Sequence, residues 1–238
     1  MLACVSSEPL PSATVVVIRD GRDALELLLL ERSRRKPEER PGPWVFPGGK
    51  VDAVDLANLG ADGLAEADID PLAGARRAAV RETCEEAALL LEPGALVPIS
   101  RWITPDIAPR RFDTWFFVGV VDADCEVRVD GGEIASHRWL APSRALDAHA
   151  RGDLRLAPPT FVTVTWLAGY SRTDAALTTL DAEPVVTFRP RICGTREAPC
   201  ILYAGDAGYE VGDPEAAGER HRLFMGPGSW RYERTRRG

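Results

Sequence analysis

The sequence predicts an α/β protein, because strand and helix patterns alternate along the chain. Apolar residues on both sides of a turn at residues 20–23 predict a β-hairpin over residues 14–30. A helix is expected over residues 71–91, where acidic and apolar residues fall on different faces. Two more strands are expected at residues 97–104 and 113–121. We therefore expect the hairpin to belong to a central sheet.

The remaining segments follow from the positions of proline, glycine and short apolar runs. A polar loop at residues 33–43 leads into a short strand at residues 44–49, and residues 52–70 lack a convincing period. The other predicted elements are a strand at 135–140, helices at 143–149, 159–170 and 173–180, and short strands at 185–188 and 200–203. We interpret the chain as one domain over residues 1–238, with a core at 12–180, an insertion at 52–72 and a C-terminal extension at 181–238.

Composition restricts the class of protein. The 238 residues carry a formal net charge of -7, which argues against a general nucleic-acid binder, because such proteins need a broad cationic surface. A small anionic substrate stays possible if positive side chains are local. No apolar run reaches the roughly 20 residues that span a bilayer, and residues 1–11 lack the features of a secretory signal. We therefore expect a cytoplasmic protein without nucleic-acid or membrane partners.

The cysteines and histidines argue against two further kinds of site. Five scattered cysteines form no CxxC pair, so neither a disulfide framework nor a zinc site is predicted. Three histidines are too few for histidine-rich metal chemistry. The thiols are expected to be reduced and mostly packed.

The stretch RETCEEAAL, residues 81–89, places three carboxylates close together on the predicted helix. At roughly 100° per residue, Glu82, Glu85 and Glu86 fall within about 100° of one another, whereas apolar residues and Cys84 occupy the opposite face. Like charges at this spacing destabilise an isolated helix by roughly 0.2–0.5 kcal/mol. The cluster is therefore either a solvated helix face or a cation-binding site.

This stretch and the glycines before it resemble the Nudix box, G-x5-E-x7-R-E-U-x-E-E-x-G-U, in which U is a bulky aliphatic residue. Gly49 and Asp55 correspond to the first half of the box, and residues 81–89 correspond to the second half. Between Asp55 and Arg81 lie 25 residues where the family pattern has 7, so we interpret residues 56–72 as the bulk of an insertion. The other departures are Asp55 for Glu, Thr83 for an aliphatic residue and Ala88 for Gly.

The resemblance continues outside the box. The Nudix branch that includes the peroxisomal coenzyme A diphosphatases of animals has similar segments, which correspond here to residues 46–52, 111–114, 139–143, 156–160 and 230–234. Residues 29–33, together with Gly42, are similar to the coenzyme A motif that precedes the box in that branch. We assign the second arginine of this motif to Arg40, although its spacing departs from the motif.

Membership of this family implies an α/β/α sandwich with a mixed central sheet, in which the box helix lies beneath the substrate cleft. The insertion and the C-terminal extension would lie near the rim of the cleft. The resemblance also implies Mg²⁺ or Mn²⁺, ions that prefer oxygen ligands. The implied metal ligands are Glu82, Glu85, Glu86 and a backbone carbonyl of Gly49 or Gly48. Arg81 is implied to hold a carboxylate in place through charge-assisted hydrogen bonds.

The general base is expected on a loop outside the box. Glu133 is the candidate because it precedes the predicted strand at 135–140, and the alternative is that it is only an exposed turn residue. Local positive charge for phosphate would come from Arg32, Arg40, Arg110 or Arg111. The candidate substrate-binding residues are Arg32, Arg40, Phe46, Gly48 and Arg111.

The resemblance implies hydrolysis of the diphosphate bond of a nucleoside diphosphate linked to another group, with coenzyme A or acyl-CoA as the first choice. ADP-ribose, dinucleotide polyphosphates and isoprenoid diphosphates are alternative substrates. A different class of function is a non-catalytic nucleotide-sensing module. The three glutamates favour the enzyme, whereas Asp55 and Ala88 keep the sensor open. The expected partner is a small molecule, and a homodimer is the default assembly.

Overall fold

The computed structural model describes residues 8–33, 42–57, 72–195, 197–226 and 229–235. Within these ranges, eight strands form a mixed sheet. They are β1 (Leu10–Asp20), β2 (Leu25–Arg32), β3 (Trp44–Val45), β4 (Gly48–Lys50), β5 (Val97–Ile103), β6 (Phe112–Val120), β7 (Ile134–Leu140) and β8 (Val186–Phe188). The predicted hairpin corresponds to β1 and β2, and the two strands predicted after the helix correspond to β5 and β6.

β1 lies in the middle of this sheet and organises it. β6 runs parallel to β1 along nine residue pairs, from Leu10 and Phe112 to Ile18 and Val120. Along its other edge, β1 pairs antiparallel with β2 at one end and with β4 at the other. β7 pairs with β2, β5 pairs with β6, and β8 runs parallel to β5. The mixed central sheet that the resemblance implied is confirmed.

Helices cover both faces of the sheet. The described ranges contain α1 (Ala53–Leu56), α2 (Ala73–Ala87), α3 (Pro142–Arg151), α4 (Pro158–Leu167), α5 (Thr173–Ala182) and a short 3-10 helix (Pro93–Ala95). Side chains of a strand alternate between two faces, so Val15 and Val17 pack with α2, whereas Val16 and Ile18 pack with α3, α4 and α5. This arrangement is the predicted α/β/α sandwich. No helix in the described ranges is long and apolar enough to cross a membrane.

The helix that carries the three glutamates differs from its prediction. α2 ends at Ala87 instead of residue 91, because Ala88 adopts a left-handed conformation with φ 55° and its N–H bonds to the carbonyl of Cys84. The face that packs on the sheet consists of small residues, and Glu86 lies on that same buried face. Cys84 is exposed, so its predicted core position is wrong. Alanines give a weak apolar signal, which explains why the periodicity placed the buried face incorrectly.

Part of the predicted insertion is ordered structure. Residues 53–56 form α1, although no period was found there in the sequence. Asp52 begins this helix, because its backbone N–H donates to Asp55 Oδ2 at 2.8 Å and its backbone carbonyl accepts a bond from the Asp55 N–H at 3.0 Å. Residues 58–71 lie outside the described residues, as does Arg40.

The C-terminal extension contains more strands than the sequence predicted. β9 (Arg191–Gly194), β10 (Pro199–Leu202), β11 (His221–Gly226) and β12 (Ser229–Arg234) form a second, antiparallel sheet, in which only β10 was predicted. Ile201, Tyr203 and Leu223 from this segment join the core beneath α3, α4 and α5. Trp102 stacks on Phe188 at the same place, with ring centroids 3.9 Å apart. The missed strands carry many polar residues, and some of these, such as His221 and Arg222 of β11, are buried, so the strands lack a clear apolar pattern.

A buried ion pair between Arg222 of β11 and Asp206 connects this strand to the loop between β10 and β11. Arg222 is 1% exposed, and its Nε and Nη2 donate to Asp206 Oδ2 at 2.6 Å and Asp206 Oδ1 at 2.5 Å. The backbone N–H groups of Gly208 and His221 donate to the same carboxylate. Fully bonded buried charges of this kind are costly to separate, because each ion has already lost its water.

Asp206→Asn tests the contribution of this pair to stability. The substitution leaves the buried Arg222 without its counter-charge, so we expect the free energy of unfolding to fall by about 3–5 kcal/mol in urea denaturation. The matched control is Glu126→Gln, which removes the partner of the mostly exposed Arg128 and should cost less than about 1 kcal/mol. Equally small losses in the two variants would contradict the expectation.

Candidate active site

A cleft lies where one end of β1 meets β4, β6 and the last turns of α2. Ser12 of β1 pairs with Lys50 of β4 on one side and with Thr114 of β6 on the other. The cleft has a volume of about 490 Å³ and is lined by Ser12, Thr14, Arg32, Gly48, Gly49, Lys50, Asp52, Glu82, Arg110, Phe112, Thr114 and Glu133. It therefore combines carboxylates, positive side chains and backbone groups in one place.

Glu86 is the most deeply buried of the three glutamates. The residue is only 5% exposed, and its Oε2 accepts a hydrogen bond of 3.0 Å from the Gly48 backbone N–H. Oε1 is buried and has no hydrogen-bond partner among the described residues. Burial raises the pKa of Glu86 to about 7, although the Gly48 bond and Arg32 act in the opposite direction. Glu86 does not itself line the cleft, whereas Gly48, to which it bonds, does. One oxygen of the Glu86 carboxylate is thus unpaired directly behind the cleft lining.

Glu82 lies against the backbone of β4. A Cβ at Gly49 would fall 2.2 Å from Glu82 Oε1, so only glycine leaves room for this carboxylate. Burial raises the pKa of Glu82, and the hydrogen bond from Arg81 opposes that effect only in part. The glycines of β4 therefore let two carboxylates of α2 approach the main chain.

Arg81 connects the acidic residues of the site. Its Nε and Nη2 donate to Asp55 at 3.1 Å and 2.9 Å, and its Nη1 donates to Glu82 at 2.9 Å and Glu85 at 3.2 Å. Nη2 also donates to the carbonyl of Lys50 at 3.0 Å. The Asp55 and Glu82 carboxylates raise the pKa of Arg81 further above its usual value. The guanidinium therefore neutralises charge in a crowded acidic cluster.

Asp55 and Glu85 take different positions around this guanidinium. Asp55 is 4% exposed, and bonds from Arg81 and the Asp52 backbone outweigh burial to hold its pKa below the usual value. The Glu85 side chain is 58% exposed and does not line the cleft. Asp55 thus orients Arg81, and Glu85 is the most solvated of the candidate metal ligands.

Glu133 lines the cleft from the loop that precedes β7. Its Oε1 is 2.5 Å from Arg32 Nη1, and both side chains are largely exposed. The carboxylate of Asp130 accepts bonds from the backbone N–H groups of Glu133 and Ile134 at 3.0 Å and 2.9 Å, which shapes the loop. The structure therefore places Glu133 and Arg32 together in the cleft.

Two other predicted substrate-binding residues lie elsewhere. Phe46 is 4% exposed and packs edge-on against Phe116, with ring centroids 6.4 Å apart, so its ring belongs to the core. Arg111 does not line the cleft, because its side chain pairs with Asp106 and donates to the carbonyl of Thr104. Both residues lie just outside strands, where the sequence pattern does not reveal the direction of a side chain.

The cleft also contains residues that the sequence did not single out. Lys50 follows the glycines of β4 directly, a position that would have drawn attention to it. Asp52, at the start of α1, is another. The others come from β1 and β6 and are recognisable only through the pairing of these strands; they are Ser12, Thr14, Phe112 and Thr114.

Comparison with known proteins establishes the family. The NUDIX domain model matches residues 9–160, and the chain therefore belongs to the Nudix family. Acyl-coenzyme A diphosphatase NUDT19 from Xenopus laevis is 27% identical over 149 residues, which cover 60% of this chain and 39% of that protein. The human protein of the same name is 34% identical over 74 residues, or 30% of this chain and 20% of that protein.

Two further proteins are similar over larger shares of their own length. Putative nudix hydrolase 7 from Caenorhabditis elegans is 26% identical over 163 residues, which cover 54% of this chain and 51% of that protein. The chain thus spans about half or less of the length of these curated relatives. The crystal structure of a NUDIX hydrolase from Alicyclobacillus acidocaldarius has a TM-score of 0.64 and 26% identity, covering 75% of this chain and 99% of that one.

Nudix hydrolases use divalent metal ions, and the donor set of this cleft suits such an ion. The donors are oxygen atoms, and the buried Oε1 of Glu86 has no partner among the described residues. Those residues contain no group of three acidic, histidine or cysteine side chains arranged to hold a metal. Arg81 explains this, because it draws Glu82 and Glu85 to its own guanidinium. The oxygen ligands therefore suit a divalent metal ion. Arg81 and such an ion would compete for the carboxylate oxygens of Glu82 and Glu85.

The raised pKa of Glu86 predicts a pH-dependent stability of the metal-free protein. The folded state holds this proton more tightly than the unfolded chain does, so the free energy of unfolding falls as pH rises from 4.5 to about 7. Relative to Glu86→Gln, the unsubstituted protein should lose roughly 3 kcal/mol across this interval. Urea denaturation in chelator at several pH values measures the difference. Parallel curves for the two proteins would contradict it.

Proposed function

We propose that the chain hydrolyses the diphosphate bond of a nucleoside diphosphate linked to another group, with a divalent metal ion as cofactor. The observation that carries the proposal is the buried Glu86. Its Oε2 accepts a hydrogen bond from the Gly48 backbone N–H, and its Oε1 has no partner among the described residues. An unpaired buried carboxylate oxygen costs free energy, and a cation would offset that cost. Family membership supports the same chemistry.

The proposed metal ligands are Glu82, Glu85 and Glu86, with a backbone carbonyl of Gly49. When bound, Mg²⁺ or Mn²⁺ screens the phosphate oxygens and acidifies the attacking water. Arg81 is a positioning residue, since it fixes Glu82 and Glu85 at the end of α2 and is itself fixed by Asp55.

Glu133 is the proposed general base. It lines the same cleft as Glu82, and its loop is held by Asp130. The carboxylate would accept a proton from the attacking water. Arg32 pairs with Glu133 and would keep the Glu133 side chain in position. The same guanidinium would attract the negatively charged substrate.

Coenzyme A or an acyl-CoA is the proposed substrate. The support is similarity to the Xenopus laevis and human proteins named acyl-coenzyme A diphosphatase. The cleft also contains Arg32, Lys50 and Arg110, which supply local positive charge in a protein of net charge -7. Cleavage of the diphosphate would release 3',5'-ADP and a phosphopantetheine species.

A panel of substrates tests this proposal. Purified protein is incubated with coenzyme A, acetyl-CoA, ADP-ribose, NADH and diadenosine polyphosphates in Mg²⁺, Mn²⁺ or chelator, and released products are quantified. Glu86→Gln should reduce metal-dependent turnover by at least about 100-fold, because it removes a ligand charge at the ion. Glu92→Gln is the matched control, since Glu92 is exposed and does not line the cleft.

Each outcome has a definite meaning. Metal-dependent cleavage of coenzyme A, lost in Glu86→Gln and kept in Glu92→Gln, would support both the mechanism and the substrate. Cleavage of another compound alone would retain the mechanism and reject coenzyme A. Full activity in Glu86→Gln would refute the ligand assignment. Nucleotide binding without any turnover would favour a sensing module instead.

A further inference from the structure

β4 forms one side of the cleft and β6 forms the other, with β1 between them. Lys50 of β4, Ser12 of β1 and Thr114 of β6 lie in one row across the sheet. Neighbouring strands are about 4.8 Å apart, so about 10 Å separate the β4 side from the β6 side. The β4 side holds Glu82 against Gly49, and the β6 side holds Arg110 and Phe112. A ligand whose diphosphate lies at the carboxylates can therefore reach the β6 side with another of its groups.

The positive side chains of this region are engaged to different extents. Arg32 pairs with Glu133, and the neighbouring Arg111 pairs with Asp106 outside the cleft. Arg110 lines the cleft, is exposed, and has no carboxylate partner among the residues that the structure describes. An anion that enters from solvent meets this guanidinium without having to displace a protein carboxylate.

Phe112 restrains the Arg110 side chain. The guanidinium carbon lies 5.2 Å from the centroid of the Phe112 ring, within the range of a cation–π contact. This contact leaves the N–H groups at the edge of the guanidinium free to donate, and a planar guanidinium can bind a phosphate with two parallel bonds. The hydroxyl of Thr114, on the same strand as Phe112, is a further donor that lines the cleft.

We propose that Arg110 and Phe112 form a second subsite, which binds a phosphate monoester on the ribose of the substrate. This inference rests on the proposed function, because it assumes that the diphosphate binds at Glu82 and Glu86. In coenzyme A the ribose carries such a phosphate at its 3' position, separated from the diphosphate by the sugar. The subsite therefore gives the protein a means to prefer coenzyme A over nucleotides that carry only the diphosphate.

Coenzyme A and 3'-dephospho-coenzyme A differ only in the 3'-phosphate, so comparing them tests the proposed subsite apart from the rest of the cleft. The ratio of kcat/KM for the two compounds is measured in the unsubstituted protein, in Arg110→Ala and in Arg110→Lys. Arg110→Ala should lower kcat/KM for coenzyme A by roughly 10- to 100-fold and leave dephospho-coenzyme A almost unchanged. Arg110→Lys should be intermediate, because lysine keeps the charge but loses the paired donors. Arg144→Ala, at an exposed position of α3, is the matched control.

A binding measurement keeps this inference independent of turnover. Calorimetry with Glu86→Gln gives the dissociation constants of both compounds, and the same ratio is then obtained after adding Arg110→Ala. Loss of the preference for coenzyme A supports the subsite even if no hydrolysis occurs, in which case the proposed function alone has failed. Equal weakening of both compounds would overturn the subsite, because Arg110 would then bind a group that they share. An absent preference in the unsubstituted protein would overturn it as well.

Discussion

The site depends on the close approach of α2 to β4. The buried face of α2 consists mainly of alanines, so the helix lies near the sheet, and Gly48 and Gly49 add no side chains between the two elements. Glu86 therefore reaches the Gly48 backbone N–H, and Glu82 occupies the space that a Cβ at Gly49 would fill. A larger residue on either surface would separate the carboxylates from the cleft.

The close approach of α2 to β4 brings several carboxylates together, and the positive charge of Arg81 reduces the repulsion between them. Its guanidinium bonds to Asp55, Glu82 and Glu85, while Glu86 stays outside this network and keeps one oxygen unpaired. The carboxylates therefore have different tasks, although the sequence presents them as one cluster. Arg110 lies on the β6 side of the cleft, across the sheet from Glu82 on the β4 side, which gives a polyanion a defined orientation.

The sequence was sufficient to predict much of the framework. The β1 and β2 hairpin, β5, β6 and the helix with the glutamates all follow from patterns within each segment. The predictions were less accurate where tertiary packing decides which residues are buried and which segments pair as strands. Cys84 is exposed and Glu86 is buried because the small alanines, not the thiol, face the sheet. The second sheet was largely missed, since strands such as β11 and β12 carry charged residues and become strands through pairing with each other.

The sequence by itself determined the residue types of the site, which are the glutamates of α2, Arg81 and the glycines of β4. The tertiary structure alone decided how these groups are used, because pairing and burial act between residues distant in sequence. The pairing of β1 with β4 and β6 brought Ser12, Lys50 and Thr114 into one row. Burial against β4 raised the pKa of Glu86 to about 7, a property that no local pattern contains.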